Sequence, residues 1–229
     1  MKASNPFKDR RSAGKLLAER VKELKPADPV VLAMPRGGVP VGLEVAKALG
    51  APLDLVLVRK IGVPYQPELA AGAVVDGDQP EIVVNDDVMQ LAGLTREYID
   101  ERAKEELVEI ERRRQVYLSG RPRVPLNGRT LIIVDDGIAT GASIRAAIAA
   151  LKRRNPLKLI LAVPVAPADT IEKLRDEVDD VVCLQMPEPF YAIGMHYDDF
   201  HQVPDDEVVR LMNEAPALEP VPAGSNGGS

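Results

Sequence analysis

A single cysteine, Cys183, is all that the 229 residues carry, which excludes an intramolecular disulfide and any zinc site built on cysteines. It sits inside the apolar run Val181-Val182-Cys183-Leu184 and reads as a structural thiol. No apolar stretch approaches the roughly 20 residues of a membrane-spanning helix, and Met1 to Arg11 is polar, without the apolar core of a signal peptide. A cytoplasmic protein that does not bind membranes is expected. Positive charge is not in excess: the net charge of -6 argues against broad electrostatic binding of nucleic acid, and leaves room for a local basic pocket. There is no internal repeat, no Gly-x-Ser-x-Gly elbow, no Gly-Lys-Ser/Thr phosphate loop and no added basic helix-turn-helix module, so a hydrolase, a phosphotransferase of that type and a DNA-binding regulator all lack their usual marks.

What is present is 45% hydrophobic and 28% charged sequence, enough for one globular domain with a full core. Leu16, Leu17, Val21 and Leu24 predict an amphipathic helix over 10–24 that ends before Pro26 and packs against a sheet. Val30 to Met34 as strand, 39–49 as helix closed by Gly50 and Leu53 to Val58 as strand make a βαβ unit. Leu69 to Val75 and Glu81 to Val84 flank the turn-rich Asp76 to Pro80 and predict an antiparallel excursion. A long charged helix follows over 95–118, with Ile99, Ala103, Leu107, Ile110 and Tyr117 along one face and Arg112-Arg113-Arg114 read as solvated surface. Alternation resumes with strands at 129–134, 157–165 and 180–184 and helices at 141–154 and 169–178. Beyond Pro187 the chain reads as irregular, and from Pro216 to Ser229 as disordered.

The run Leu131-Ile132-Ile133-Val134-Asp135-Asp136-Gly137-Ile138-Ala139-Thr140-Gly141-Ala142-Ser143 combines a buried strand, two adjacent carboxylates and a small-residue turn that opens an Ala-rich helix. Carboxylates at the end of a parallel strand stand at the sheet's carboxyl edge, where open α/β folds place ligands. Asp135 and Asp136 suit hydroxyls or a metal, while the amides of 139–143 at a helix start suit a phosphate. Thr140 and Ser143 add hydroxyl donors.

On these residues the chain resembles the type I phosphoribosyltransferases, whose signature for phosphoribosyl pyrophosphate is an apolar strand, an acidic pair and a Thr-Gly-x-Thr/Ser loop. The resemblance implies an α/β fold with a mostly parallel, helix-covered sheet, a β-rich and helical insertion and a small C-terminal hood. It divides the chain into an N-terminal helix (1–28), a core (29–186) with insertion 63–125, a hood (187–215) and a tail (216–229). It assigns the ribose hydroxyls to Asp135 and Asp136, and the 5-phosphate to Ala139, Thr140, Gly141, Ala142 and Ser143.

Three further segments take meaning beside that motif. Arg36-Gly37-Gly38 follows the first strand; alone it is as compatible with a tight βα turn, but it matches the family's pyrophosphate loop, a basic residue followed by Gly. Arg59-Lys60 follows the second strand and resembles the Arg-Lys pairs of adenine-type members, cations able to offset a departing pyrophosphate. Val63 to Glu68 then corresponds to the start of the family's mobile lid. Phe190, Tyr191, Tyr197 and Phe200 lie within 187–200, in a chain of five tyrosines, three phenylalanines and no tryptophan. Such a cluster either stacks on a planar ring or fills a small core; in the family this end binds the acceptor base, which makes Phe190, Tyr191 and Tyr197 acceptor candidates. His196 reads as a satisfied surface histidine.

The activity implied is transfer of a phosphoribosyl group to a nitrogenous base or related acceptor, with release of pyrophosphate. Mg2+ would be held mainly by substrate oxygens, with Asp135 and Asp136 as weak, partly water-mediated ligands. Arg36, Arg59 and Lys60 would stabilise the leaving charge, giving with the two acids a catalytic set of five residues. The implied partners are phosphoribosyl pyrophosphate, a base-like acceptor and a second copy of the chain in a homodimer. Ala139 stands where hypoxanthine/guanine-type members carry a carboxylate, so the acceptor's base must come from elsewhere, for instance Glu68. The alternative is a non-catalytic regulator that senses phosphoribosyl pyrophosphate.

Overall fold

The structure, a computed structural model, describes residues 6–77 and 80–216, apart from the side chains of Pro67 and Glu68. The possible base Glu68 and most of the 216–229 tail therefore lie outside the described residues. Five parallel strands form the main sheet: β1 (Pro29–Ala33), β2 (Leu53–Leu55), β6 (Thr130–Val134), β7 (Lys158–Val165) and β8 (Asp180–Gln185), in the order β2-β1-β6-β7-β8. Side chains alternate across a strand, so a strand covered on both faces must be apolar at nearly every position. Val31, Ala33, Ile132 and Val134 enter one core, while Val30, Leu32, Leu131 and Ile133 enter the other.

The first core is covered by α1 (Arg10–Glu23), α2 (Gly38–Leu49), α4 (Arg96–Leu118) and α7 (Asp205–Glu214); the second by α5 (Ala142–Lys152) and α6 (Ala168–Arg175). Asp9 caps α1 in a reciprocal capping box with Ser12. The expected helices are present, and two more appear. The short α3 (Asp86–Leu91) and α7 were not anticipated, and α7 is no part of a hood: its Val208, Leu211 and Met212 are buried in the first core, against α2 and α4.

A second, antiparallel sheet carries β3 (Val58–Val63), β4 (Gln66–Val75) and β5 (Glu81–Val84) in that order. The expected strand Leu53 to Val58 is broken: β2 stops at Leu55, the chain crosses over, and Arg59 and Lys60 lie inside β3, opposite Val74 and Ala73. The hairpin turn is Pro64-Tyr65, with Tyr65 fully exposed. The long α4 is fastened to this sheet along its length. Tyr98 Oη donates to the Gly62 carbonyl at 3.0 Å, Arg59 Nε to Glu106 Oε2 at 2.7 Å, and Arg114 Nη1 to Asp76 Oδ2 at 2.7 Å. Arg114 is thus buried in an ion cluster with Asp76 and Asp54, not solvated as its Arg-Arg-Arg context suggested; Arg112 and Arg113 do remain near the surface, both on Glu109. Among the described residues no helix is long and apolar enough to cross a membrane.

Candidate active site

Register brings the two glycine-bearing loops together. Ala33 pairs with Val134, and the Met34 amide donates to the Val134 carbonyl at 2.9 Å, so the chain after β1 and the chain after β6 leave the sheet edge side by side. Met34-Pro35-Arg36-Gly37 then meets the acidic pair directly. A Cβ on Gly37 would stand 2.0 Å from Asp136 Oδ2, and one on Gly38 would stand 2.7 Å from the Val134 carbonyl oxygen. Gly37 has an ordinary helical φ of -62°, so its requirement is space and not backbone freedom.

The two acids occupy different surroundings. Asp135 is half-buried, and its Oδ1 accepts from the Asp136 amide at 2.8 Å. Asp136 is buried, and its Oδ2 accepts from Arg10 Nε at 2.7 Å. The Arg10 guanidinium is itself buried, donates to the His201 carbonyl at 2.8 Å and lies 3.8 Å over the Phe200 ring. Burial, followed by the neighbouring Asp136 charge, pushes the Asp135 carboxyl well above the usual range; burial also raises Asp136, against the pull of Arg10. Arg10 was not singled out in the sequence.

The loop beyond the acids leads directly into α5. Gly141 adopts a left-handed conformation (φ 77°) that favours glycine, and it caps α5 without any side-chain cap hydrogen bond. The first-turn amides at the positive end of α5 thus have no side-chain cap, and Thr140 beside them is exposed. Ala139 and Thr140 are exposed and Ser143 is half-buried.

Thr140 lies between two cavities. On one side a cavity of about 790 Å³ runs from Ala139 and Thr140 past the start of α6 to Glu188, Phe190 and Tyr191. Phe190 stacks on His196 with ring centroids 5.4 Å apart, and Tyr191 is exposed. Tyr197, expected on the same surface, is placed elsewhere: its ring is buried beside Phe7 and Phe200, and its hydroxyl donates to the Asp136 carbonyl at 2.6 Å. On the other side a cavity of about 550 Å³ is bounded by Lys60, Asn85, Thr140, Ala142 and Arg145.

The expected cations are brought only partly together. Period-2 alternation puts Arg59 and Lys60 on opposite faces of β3: Arg59 turns to Glu106 of α4, whereas Lys60 reaches the cavity that Thr140 borders. Arg36 stands at the loop after β1, 3.6 Å from Asp205. Among the described residues no group of three or more His, Cys, Asp or Glu side chains is arranged to hold a metal.

The fold is an α/β domain with an acid pair, an amide-rich helix start and a cation-glycine loop on one carboxyl edge of its parallel sheet. Comparison with known proteins agrees: the phosphoribosyl transferase domain family matches residues 9–199, and the chain belongs to that family. Two proteins of Mycobacterium tuberculosis provisionally named phosphoribosyl transferases, MT0597 in strain CDC 1551 / Oshkosh and Rv0571c in strain H37Rv, are each 46% identical over 209 residues, covering 91% of this chain and 47% of their own length. The chain thus spans about half the length of these curated relatives. The crystal structure of TT1426 from Thermus thermophilus is 40% identical and superposes with a TM-score of 0.82, covering 92% of this chain and 99% of that one.

Proposed function

We propose that the domain transfers the phosphoribosyl group of phosphoribosyl pyrophosphate to a nitrogenous acceptor and releases pyrophosphate. The observation that carries this reading is the contact of the Arg36-Gly37-Gly38 loop with the acid pair. It supplies, at one sheet edge, a cation for pyrophosphate, carboxylates for ribose hydroxyls and helix amides for the 5-phosphate.

Breaking the bond from ribose carbon 1 to the pyrophosphate oxygen builds positive charge on the sugar and negative charge on the leaving group. In this reading Asp135 accepts from a ribose hydroxyl, and Asp136, neutralised by Arg10, forms the floor beneath it. Thr140, Ser143 and the α5 amides anchor the 5-phosphate. Arg36 receives the departing pyrophosphate, and Lys60 faces the cavity on the other side of Thr140. The acceptor enters from the cavity under Phe190 and Tyr191, with nitrogen directed at carbon 1.

Magnesium is compatible with this donor set. Asp135, whose carboxylate among the described residues is in no ion pair and accepts only the Asp136 amide at one oxygen, would support a hard cation that draws its remaining oxygens from substrate and water. When bound there, such a cation neutralises pyrophosphate charge. A homodimer in the cytoplasm completes the proposal.

Calorimetry with phosphoribosyl pyrophosphate and magnesium, on the parent protein and Asp135→Asn, tests the reading. Binding that the substitution weakens, with pyrophosphate release in the presence of one acceptor from a panel of bases, is the expected result. Binding without release from any acceptor indicates the sensor instead, and no binding removes the proposal.

A further inference from the structure

Arg36 does not stand alone at the pyrophosphate loop. Its Nη1 lies 3.6 Å from Oδ1 of Asp205, the first residue of α7. That same Oδ1 accepts from the Tyr117 hydroxyl at 2.7 Å, and Tyr117 is buried near the end of α4. Burial, then the Asp205 hydrogen bond, pushes the Tyr117 phenol up to about 12, so it remains a donor to the carboxylate at ordinary pH. The three residues form a chain from the inserted helix, through α7, to the loop after β1.

From this geometry we propose that Asp205 is a positioning residue for Arg36, itself held in place by Tyr117, so that α4 and α7 orient the cation that meets the substrate's pyrophosphate. The proposal rests on the reading of Arg36 as a pyrophosphate ligand and deepens it.

The physical case is one of preorganisation. An arginine side chain gives up much rotamer freedom when it is fixed. Arg36 is only about one-third exposed, so part of that restriction is already imposed before any ligand arrives. The Asp205 contact is longer than a hydrogen bond and falls on one nitrogen of a five-donor fork. It can hold the guanidinium from one edge while the other edge engages a phosphate. Asp205, itself nearly half exposed, is in turn tethered at Oδ1 by a buried phenol. A bare surface ion pair would have no such second support.

A competing carboxylate would have the opposite effect, and that difference is measurable. Binding of inorganic pyrophosphate and of phosphoribosyl pyrophosphate, each with magnesium, would be measured by calorimetry. The panel is the parent chain, Asp205→Asn, Tyr117→Phe, Arg36→Gln and Arg36→Gln/Asp205→Asn, with melting curves confirming that each variant folds. The expected result is about five- to tenfold weaker binding for Asp205→Asn, a smaller loss for Tyr117→Phe, and no further loss when Asp205→Asn is added to Arg36→Gln. The last outcome separates positioning from general destabilisation, because a structural defect would persist without Arg36. Tighter binding by Asp205→Asn would overturn the proposal and make Asp205 a competitor. Unchanged binding, or an additive loss in the double variant, would also overturn it. If Arg36→Gln itself binds both ligands like the parent, the reading of Arg36 fails, and the proposal with it.

Discussion

Arg10 and Asp136 meet at 2.7 Å, 126 residues apart in sequence and both buried, with the guanidinium carbon 3.8 Å over the Phe200 ring. The pair fastens the first turn of α1 to the strand-end motif, and Tyr197 fastens the segment after β8 to the same residue through its carbonyl. One acid of the pair is therefore tied by its side chain into the fold, while Asp135, among the described residues, is held only by the Asp136 amide.

Removing one member of a buried pair leaves an uncompensated charge. Arg10→Met should cost about 3–5 kcal/mol, read from urea denaturation. Asp136→Asn placed in the Arg10→Met background should cost less than Asp136→Asn in the parent chain, because the charge that needs Arg10 is already gone. Equal costs in the two backgrounds would mean that the pair contributes no coupling.

Gly37→Ala tests the contact between the loops. The added methyl would overlap Asp136 Oδ2, while the backbone there accepts any residue, so the effect is steric. A loss of about 1–3 kcal/mol is expected, together with weakened binding of phosphoribosyl pyrophosphate. An Ala variant that melts and binds like the parent would show that the loops do not touch in solution.

The parts of this architecture that were legible in the sequence are those encoded locally. The Leu131 to Ser143 run states strand, carboxyl edge and helix start in thirteen consecutive residues, and the structure places β6 and α5 around it. The βαβ unit and the 96–118 helix are equally local. The α7 signal was present too: Pro204, then Asp205-Asp206-Glu207 in a first turn, then apolar Val208, Leu211 and Met212 at helical spacing. It was masked by the irregular aromatic stretch before it. Arg10 and Arg114 carry no such signal. Each is a charged residue in a charged helix, and only long-range packing turns it inward onto Asp136 or Asp76. The division of Arg59 from Lys60 follows from a strand where a strand end was expected, since period-2 alternation sends neighbours to opposite faces.

Cys183 should be a poor nucleophile. Burial pushes its thiol up to about 11, and its Sγ donates to the Gln185 carbonyl at 3.2 Å. Thiolate is then scarce at pH 8, and alkylation by iodoacetamide should be much slower than that of a free cysteine near 8.5. Mass spectrometry over a time course measures this; labelling at the rate of a free thiol would show that β8 opens readily.

The Arg114 cluster makes a pH-dependent prediction. Asp76 is raised above its ordinary value near 3.8, chiefly by burial, while the Leu57 amide and Arg114 pull it back. A carboxyl with a raised folded value holds its proton more tightly in the native state than in the unfolded one. Between the two values the native state binds more protons, so stability falls as pH rises through that window. Arg114→Met removes one of two compensating guanidinium charges, leaves Asp76 beside Asp54 with only Arg123, at 3.7 Å, as an opposing charge there among the described residues, and must widen the window upward. The variant should lose about 3–5 kcal/mol at neutral pH and recover part of it as pH falls below the raised value, where Asp76 is protonated. Urea midpoints for parent and variant between pH 4 and pH 8 measure the difference. A loss that stays constant across that range would show that Arg114 stabilises the cluster by packing and not by charge.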